Sequence, residues 1–225
     1  VNELALFAGA GGGILAGKLL GWRAVCAVER NPYRRGVLLR RQNEQAIPAF
    51  PVWDDVCTFD GRPWRGIVDV ISGGFPCQAY SSAASGKNNA DDLWPEMRRI
   101  VADVAPRNVF AENVSRRAID AAADDLEQMG YKTRAISLSA SDLGGDHIRE
   151  RFWLRAYTDS DGELCSPINA EAPSLQEFRS GVWQAKLEEP RISDELAAGM
   201  ERLRATGDGQ IPLVAATAWR LLGGP

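Results

Sequence analysis

Cys77 stands in the run Ser72-Gly73-Gly74-Phe75-Pro76-Cys77-Gln78, directly after a short apolar stretch that reads as a strand. A cysteine by itself is most often a small buried hydrophobe. Two glycines and a proline at the mouth of a strand are poorly explained by packing, and such a turn can present a thiol as a nucleophile. A later apolar stretch ends in Glu112-Asn113-Val114. A thiolate beside a carboxyl that can hold a proton makes a covalent catalyst with its general acid.

Other strand ends also carry candidate groups. Phe7-Ala8-Gly9-Ala10-Gly11-Gly12-Gly13 joins the first apolar stretch to a helical pattern. Glycines there permit a tight turn and let a ligand approach backbone amides at a helix N-terminus. The same kind of turn also serves nicotinamide and flavin nucleotides or purely structural ends. About twenty residues on, Glu29 closes the second stretch and can accept from ribose hydroxyls; read alone, it is equally a charge in the first turn of a helix. Asp55 follows a third short apolar stretch and can either bind an adenine amino group or cap a turn.

These residues need a scaffold that brings strand ends together. Apolar runs at Leu4–Phe7, Ala24–Val28, Val68–Ile71, Asn108–Ala111 and Thr133–Leu138 alternate with helical patterns at Ile14–Leu20, Pro32–Gln42, Leu93–Val104 and Ser115–Met129. Such alternation indicates an α/β fold, a mostly parallel sheet with helices on both faces. Gly21, Pro106 and Gly130 fall where helices should stop. From Thr158 to about Glu189 the pattern degrades into Asp, Gly, Pro, Ser and Glu, and Ile211–Leu222 reads as a closing amphipathic helix. The expected division is a catalytic and cofactor-binding unit over 1–157, a short irregular region over 158–203, and a returning segment over 204–225.

The 225 residues suffice for one substantial domain with a small appendage. Four scattered cysteines without metal spacing argue against a disulfide framework or a metal site, and fit a reducing cytoplasm. No apolar run is long enough to cross a membrane. The formal net charge of −4 does not announce a nucleic-acid ligand. Basic residues do cluster locally, as in Arg149, Arg151 and Arg155, though solvated faces explain most such groups.

Gly74-Phe75-Pro76-Cys77-Gln78 resembles the catalytic loop of cytosine carbon-5 DNA methyltransferases. Glu112-Asn113-Val114 resembles that family's glutamate motif, Arg149-Glu150-Arg151 its Arg-x-Arg, and the Phe7–Gly12 turn its cofactor turn. Gly207-Asp208-Gly209-Gln210-Ile211-Pro212 resembles its closing motif, and the five matches occur in family order. The resemblance implies a Rossmann-like fold with S-adenosylmethionine as methyl donor, S-adenosylhomocysteine as product and double-stranded DNA as substrate of a monomeric enzyme. It implies that Cys77 attacks carbon-6 of a flipped cytosine and that Glu112 bonds ring nitrogen N3 and the exocyclic amine. Arg151 then binds the carbonyl O2, helped by Arg149. Phe7, Gly9, Gly11, Gly12, Glu29, Asp55, Leu93 and Asp208 fall to the cofactor pocket.

Three departures stand out. His147 replaces the usual Gln two residues before the Arg-x-Arg, Asp208 replaces Asn, and Ala5-Leu6-Phe7 replaces Asp-Leu-Phe. The interval for target recognition, Ala156 to Leu203, is short for the family, which implies few base contacts and a resemblance to phage and prophage members. Three other readings stand beside this one: a nucleotide-dependent oxidoreductase, a tRNA cytosine methyltransferase, and a DNA-binding relative with a decayed cofactor site.

Overall fold

The computed structural model describes residues 1–76, 92–146, 148–158 and 209–225. In chain order they form β1 (Asn2–Leu6), α1 (Gly12–Leu19), β2 (Arg23–Val28), α2 (Pro32–Asn43), β3 (Val52–Trp53), β4 (Val70–Gly74), α3 (Trp94–Val104), β5 (Asn108–Asn113), α4 (Arg116–Gln128), β6 (Lys132–Leu138), β7 (Arg151–Tyr157) and α5 (Pro212–Leu221). Local chemistry sets the helix ends. Asn31 caps α2 by accepting from the Arg34 amide, and Ser115 caps α4 by accepting from Ala118. Ala105, in the left-handed conformation before Pro106, stops α3.

Among the described residues the sheet has seven strands in the order β3-β2-β1-β4-β5-β7-β6. All neighbouring pairs from β3 to β5 are parallel, while β7 runs antiparallel to both β5 and β6. Alternation along each strand sends side chains to two cores. Leu4, Leu6, Ile71, Val109 and Ala111 pack with Met97, Ile100, Val101 and Val104 of α3 and with Ile119, Ala122 and Leu126 of α4. The opposite face carries α1, α2 and α5, where Trp22, Phe110, Trp153 and Trp219 meet beneath the last helix.

Two sequence expectations need correction. The strand leading to the Cys77 turn begins and ends two or three residues later than its apolar run. Ser72, Gly73 and Gly74 remain in the ladder because β1 and β5 bond them from both sides. Gly73 has no room for a side chain, since a Cβ there would stand 2.7 Å from the Leu6 carbonyl. The second correction is β7, which the apolar pattern did not reveal. Its Arg155 is buried rather than solvated: it donates to Asn108 Oδ1 at 3.0 Å and to the Gly223 carbonyl at 2.6 Å, with Trp219 under its guanidinium. A cation at the C-terminal end of α5 also suits the helix dipole. The irregular region expected at 158–203 lies outside the described residues, apart from Thr158.

Glu3 is buried against α1, and it accepts a hydrogen bond from Ser72 Oγ at 2.5 Å while its other oxygen has no partner. Burial pushes its carboxyl up from 4.5 to about 7, the Ser72 bond opposing this only in part. A carboxyl raised in this way costs the fold nothing below its unfolded pKa. The penalty grows as pH rises from 4.5 and is complete, at roughly 3 kcal/mol, above about 7. Glu3→Gln therefore gains stability over the parent by about that amount between pH 4.5 and pH 8. Urea unfolding at both values checks it; a parent-to-variant difference that ignores pH contradicts the burial argument.

Candidate active site

The carboxyl ends of β1, β2, β4 and β5 lie at one edge of the sheet, where open α/β folds bind ligands. The reversal of β7 brings its first residues to that same edge. Asn113 pairs with Phe152, so Arg151 comes alongside the end of β5. Arg151 Nε thereby reaches Glu112 Oε1 at 3.0 Å. Had β7 run parallel to β5, the Arg-x-Arg at its start would have lain at the opposite edge, a whole strand length from this carboxyl.

Glu112 is 6% exposed. Desolvation raises its carboxyl above the ordinary value, opposed by the Arg151 charge, a hydrogen bond from Gln210 and the Arg149 charge. The direction is that of a group suited to hold a proton, because a low-dielectric site disfavours the carboxylate. Its surroundings are tight. A Cβ on Gly74 would stand 2.6 Å from Glu112 Oε2, so glycine at the end of β4 keeps open the volume that the carboxyl occupies.

Asn113 ties the two strand ends together. Its Nδ2 donates to the Phe75 carbonyl at 2.9 Å, and its Oδ1 accepts from the Ser115 amide. The bond fixes the chain two residues before Cys77. Cys77 itself, like His147 and Asp208, lies outside the described residues.

The glycine turn lies at the end of β1. Phe7, Gly9 and Gly11 all have positive φ, at 52°, 57° and 90°. For Phe7 this left-handed backbone carries a steric cost of about 1–2 kcal/mol, the kind of strain that functional turns retain. Glu29 staples the turn: its Oε2 accepts from the Gly9 amide at 2.7 Å and its Oε1 from the Asn31 amide at 2.8 Å. Gly11 is closed in by Leu38, 2.9 Å from where a Cβ would stand. Asp55 Oδ1 accepts from the Cys57 amide, which holds its carboxyl below the usual range, so the turn-capping role is present. Phe7 and Leu93 pack, half-buried, against one core.

The family model for C-5 cytosine-specific DNA methylases matches residues 1–203. The chain belongs to that family. Among curated members, type II methyltransferase M.NgoMIV of Neisseria gonorrhoeae is 31% identical over 161 residues, covering 67% of this chain and 49% of the relative. M1.HphI of Haemophilus parahaemolyticus is 30% identical over 192 residues, covering 78% and 49%. The chain spans about a third to a half of the length of the curated relatives it matches. Among solved structures, one described as a DNA modification methyltransferase encoded within an Escherichia coli prophage has a TM-score of 0.55 at 24% identity, over 71% of this chain and 47% of that one. Dnmt2 methyltransferase of S. pombe has a TM-score of 0.57 at 20% identity, over 72% and 52%. These structures share the fold: α/β, with a mixed, mostly parallel sheet.

The methylase family implies S-adenosylmethionine, and the donor set fits it. Glu29 brings an acid to the glycine turn, each of its oxygens keeping a lone pair for a hydroxyl. Phe7 and Leu93 offer apolar surface nearby. Gly12 has another task as well, because a Cβ there would stand 2.1 Å from the Gln210 carbonyl. Gln210 is the site residue that sequence reasoning missed. It belongs to the closing motif, but nothing in one sequence marks which residue of that motif faces the carboxyl. The role of Asn113 is likewise invisible in sequence alone.

Proposed function

We propose that the protein transfers a methyl group from S-adenosylmethionine to carbon-5 of cytosine in double-stranded DNA, with Cys77 as nucleophile. The observation that carries this reading is the ion pair of buried Glu112 with half-buried Arg151 at the end of β5, beside the strand that leads through Phe75 and Pro76 to Cys77. A base must leave the duplex to meet such a buried carboxyl. Cytosine carbon-5 is a poor nucleophile until a thiolate adds to carbon-6. Cys77 makes that addition, while Glu112 donates to N3 and bonds the exocyclic amine, so that charge building on the ring is neutralised. Arg151 holds O2, helped by Arg149. S-adenosylmethionine, when bound, supplies an electrophilic sulfonium methyl. After loss of the carbon-5 proton, Cys77 is expelled.

Glu29 orients the ribose, Asp55 the adenine amino group, and Phe7 and Leu93 enclose the purine. Gly9, Gly11 and Gly12 bring the backbone of the turn close to the donor, and Asp208 takes part in donor binding. The decisive measurement is transfer of tritiated methyl groups to plasmid DNA and to tRNA in parallel, followed by bisulfite sequencing of the plasmid. DNA labelling with protected cytosines is expected. Labelling of tRNA alone overturns the substrate, and labelling of neither overturns the activity.

A further inference from the structure

The Gln210 side chain spans the gap between the glycine turn and the catalytic carboxyl. Its Nε2 donates to Glu112 Oε2 at 3.5 Å, and the same nitrogen lies 3.3 Å from where a Gly74 Cβ would stand. Its Oε1 points the other way, 2.6 Å from the Cβ position of Gly13 in the first turn of α1, while its backbone carbonyl presses on Gly12. Three glycines from two elements thus leave the space that this one residue fills. The amide is oriented as electrostatics require, its carbonyl toward the positive end of α1 and its donor toward an acid. The segment is held from outside too, since Arg149 Nη2 donates to the Gly209 carbonyl at 2.7 Å.

We propose that Gln210 is a positioning residue for the methyl-transfer reaction, fixing the rotation of the Glu112 carboxyl and linking it mechanically to the cofactor turn. The inference rests on the function proposed above. In that reaction Arg151, now on Glu112 Oε1, must turn toward the carbonyl of the incoming base. Gln210 on Oε2 then remains to keep the carboxyl aimed, with Oε1 turned to N3. Among the described residues, the charged groups facing Glu112 are Arg151 of β7 and Arg149 just before it; β4 contributes Gly74 and the C-terminal segment the neutral amide.

Two variants test it in the full chain. Gln210→Met keeps the volume and removes the donor; Gln210→Glu keeps the reach and sets an acid against an acid. Loss of the donor leaves Glu112 protonated to higher pH, and a second carboxyl raises it further. Carbon-13 NMR of labelled glutamate carboxyls, with Glu112 assigned by its loss in Glu112→Gln, reads this directly. Its midpoint is expected to rise by about half a pH unit or more in Gln210→Met and by more again in Gln210→Glu. In the methylation assay, kcat of Gln210→Met should fall roughly tenfold to a hundredfold, with KM for S-adenosylmethionine within about twofold of the parent, because aim rather than binding is lost. The alkaline limb of kcat should shift upward with the NMR midpoint. A role confined to packing lowers kcat without moving either. An unmoved Glu112 midpoint in the two variants overturns the proposal. If the parent methylates no cytosine, the proposed function fails instead, and the titration still decides whether Gln210 controls Glu112.

Discussion

Cys77→Ser is expected to lower methyl transfer by at least about a thousandfold, the scale on which removing an attacking nucleophile acts. Sulfur and oxygen differ little in size, so the change leaves packing and donor binding intact. The chemistry differs greatly. A thiol is a few per cent ionised near neutrality and a strong nucleophile as its anion, whereas a serine hydroxyl needs an adjacent base. DNA carrying 5-fluorocytosine at the target separates the covalent step from the rest. Fluorine at carbon-5 cannot depart as a proton does, so the parent should accumulate a protein–DNA adduct that survives denaturation. Cys77→Ser should form none while binding S-adenosylhomocysteine as the parent does. A serine variant that methylates at the parental rate ends the covalent mechanism, whatever the standing of the fold.

The second large effect belongs to Glu112. Glu112→Gln retains a hydrogen-bonding group of the same shape but gives up the transferable proton, and kcat should fall by about a hundredfold to ten-thousandfold. Its pH dependence has a definite sign. Burial raises the carboxyl while Arg151, Gln210 and Arg149 oppose it. Activity that needs the protonated acid is therefore present below this raised pKa and is lost as pH rises through it. The glutamine variant should lack that alkaline limb. Because the substitution also deprives Arg151 of its charge partner, binding of cytosine-containing duplex DNA and of S-adenosylhomocysteine should be measured alongside kcat. A variant with normal kcat and an unchanged alkaline limb removes Glu112 from acid catalysis.

Much of the scaffold was legible because its signals are local. Gly21, Pro106 and Gly130 act within one or two turns of their own position, so the ends of α1, α3 and α4 followed from them to within about a residue. All five expected strands reappear, with shifted limits, as parts of the sheet. β7 was hidden for a physical reason. Trp153, Leu154, Arg155 and Ala156 are all buried, so the strand has no polar face to set up a period of two, and its arginines imitate a solvated cluster.

Sequence by itself determined the chemistry on offer: a cysteine in a Gly-Gly-Phe-Pro turn, an acid after an apolar strand, an Arg-x-Arg and a glycine turn, in an order that matches one family. Residue type and chain order carry that information, since reactivity and backbone freedom belong to individual residues and short runs. Tertiary structure decided which of these groups meet. The reversal of β7 sets Arg151 against Glu112, a residue 39 positions earlier in the chain, and the docking of α5, clamped by Arg155 at its far end, carries Gln210 into the space left by Gly12, Gly13 and Gly74. Contacts of that kind depend on strand direction and on which face a helix covers. Both follow from the whole core closing at once, and no local stretch of residues encodes either.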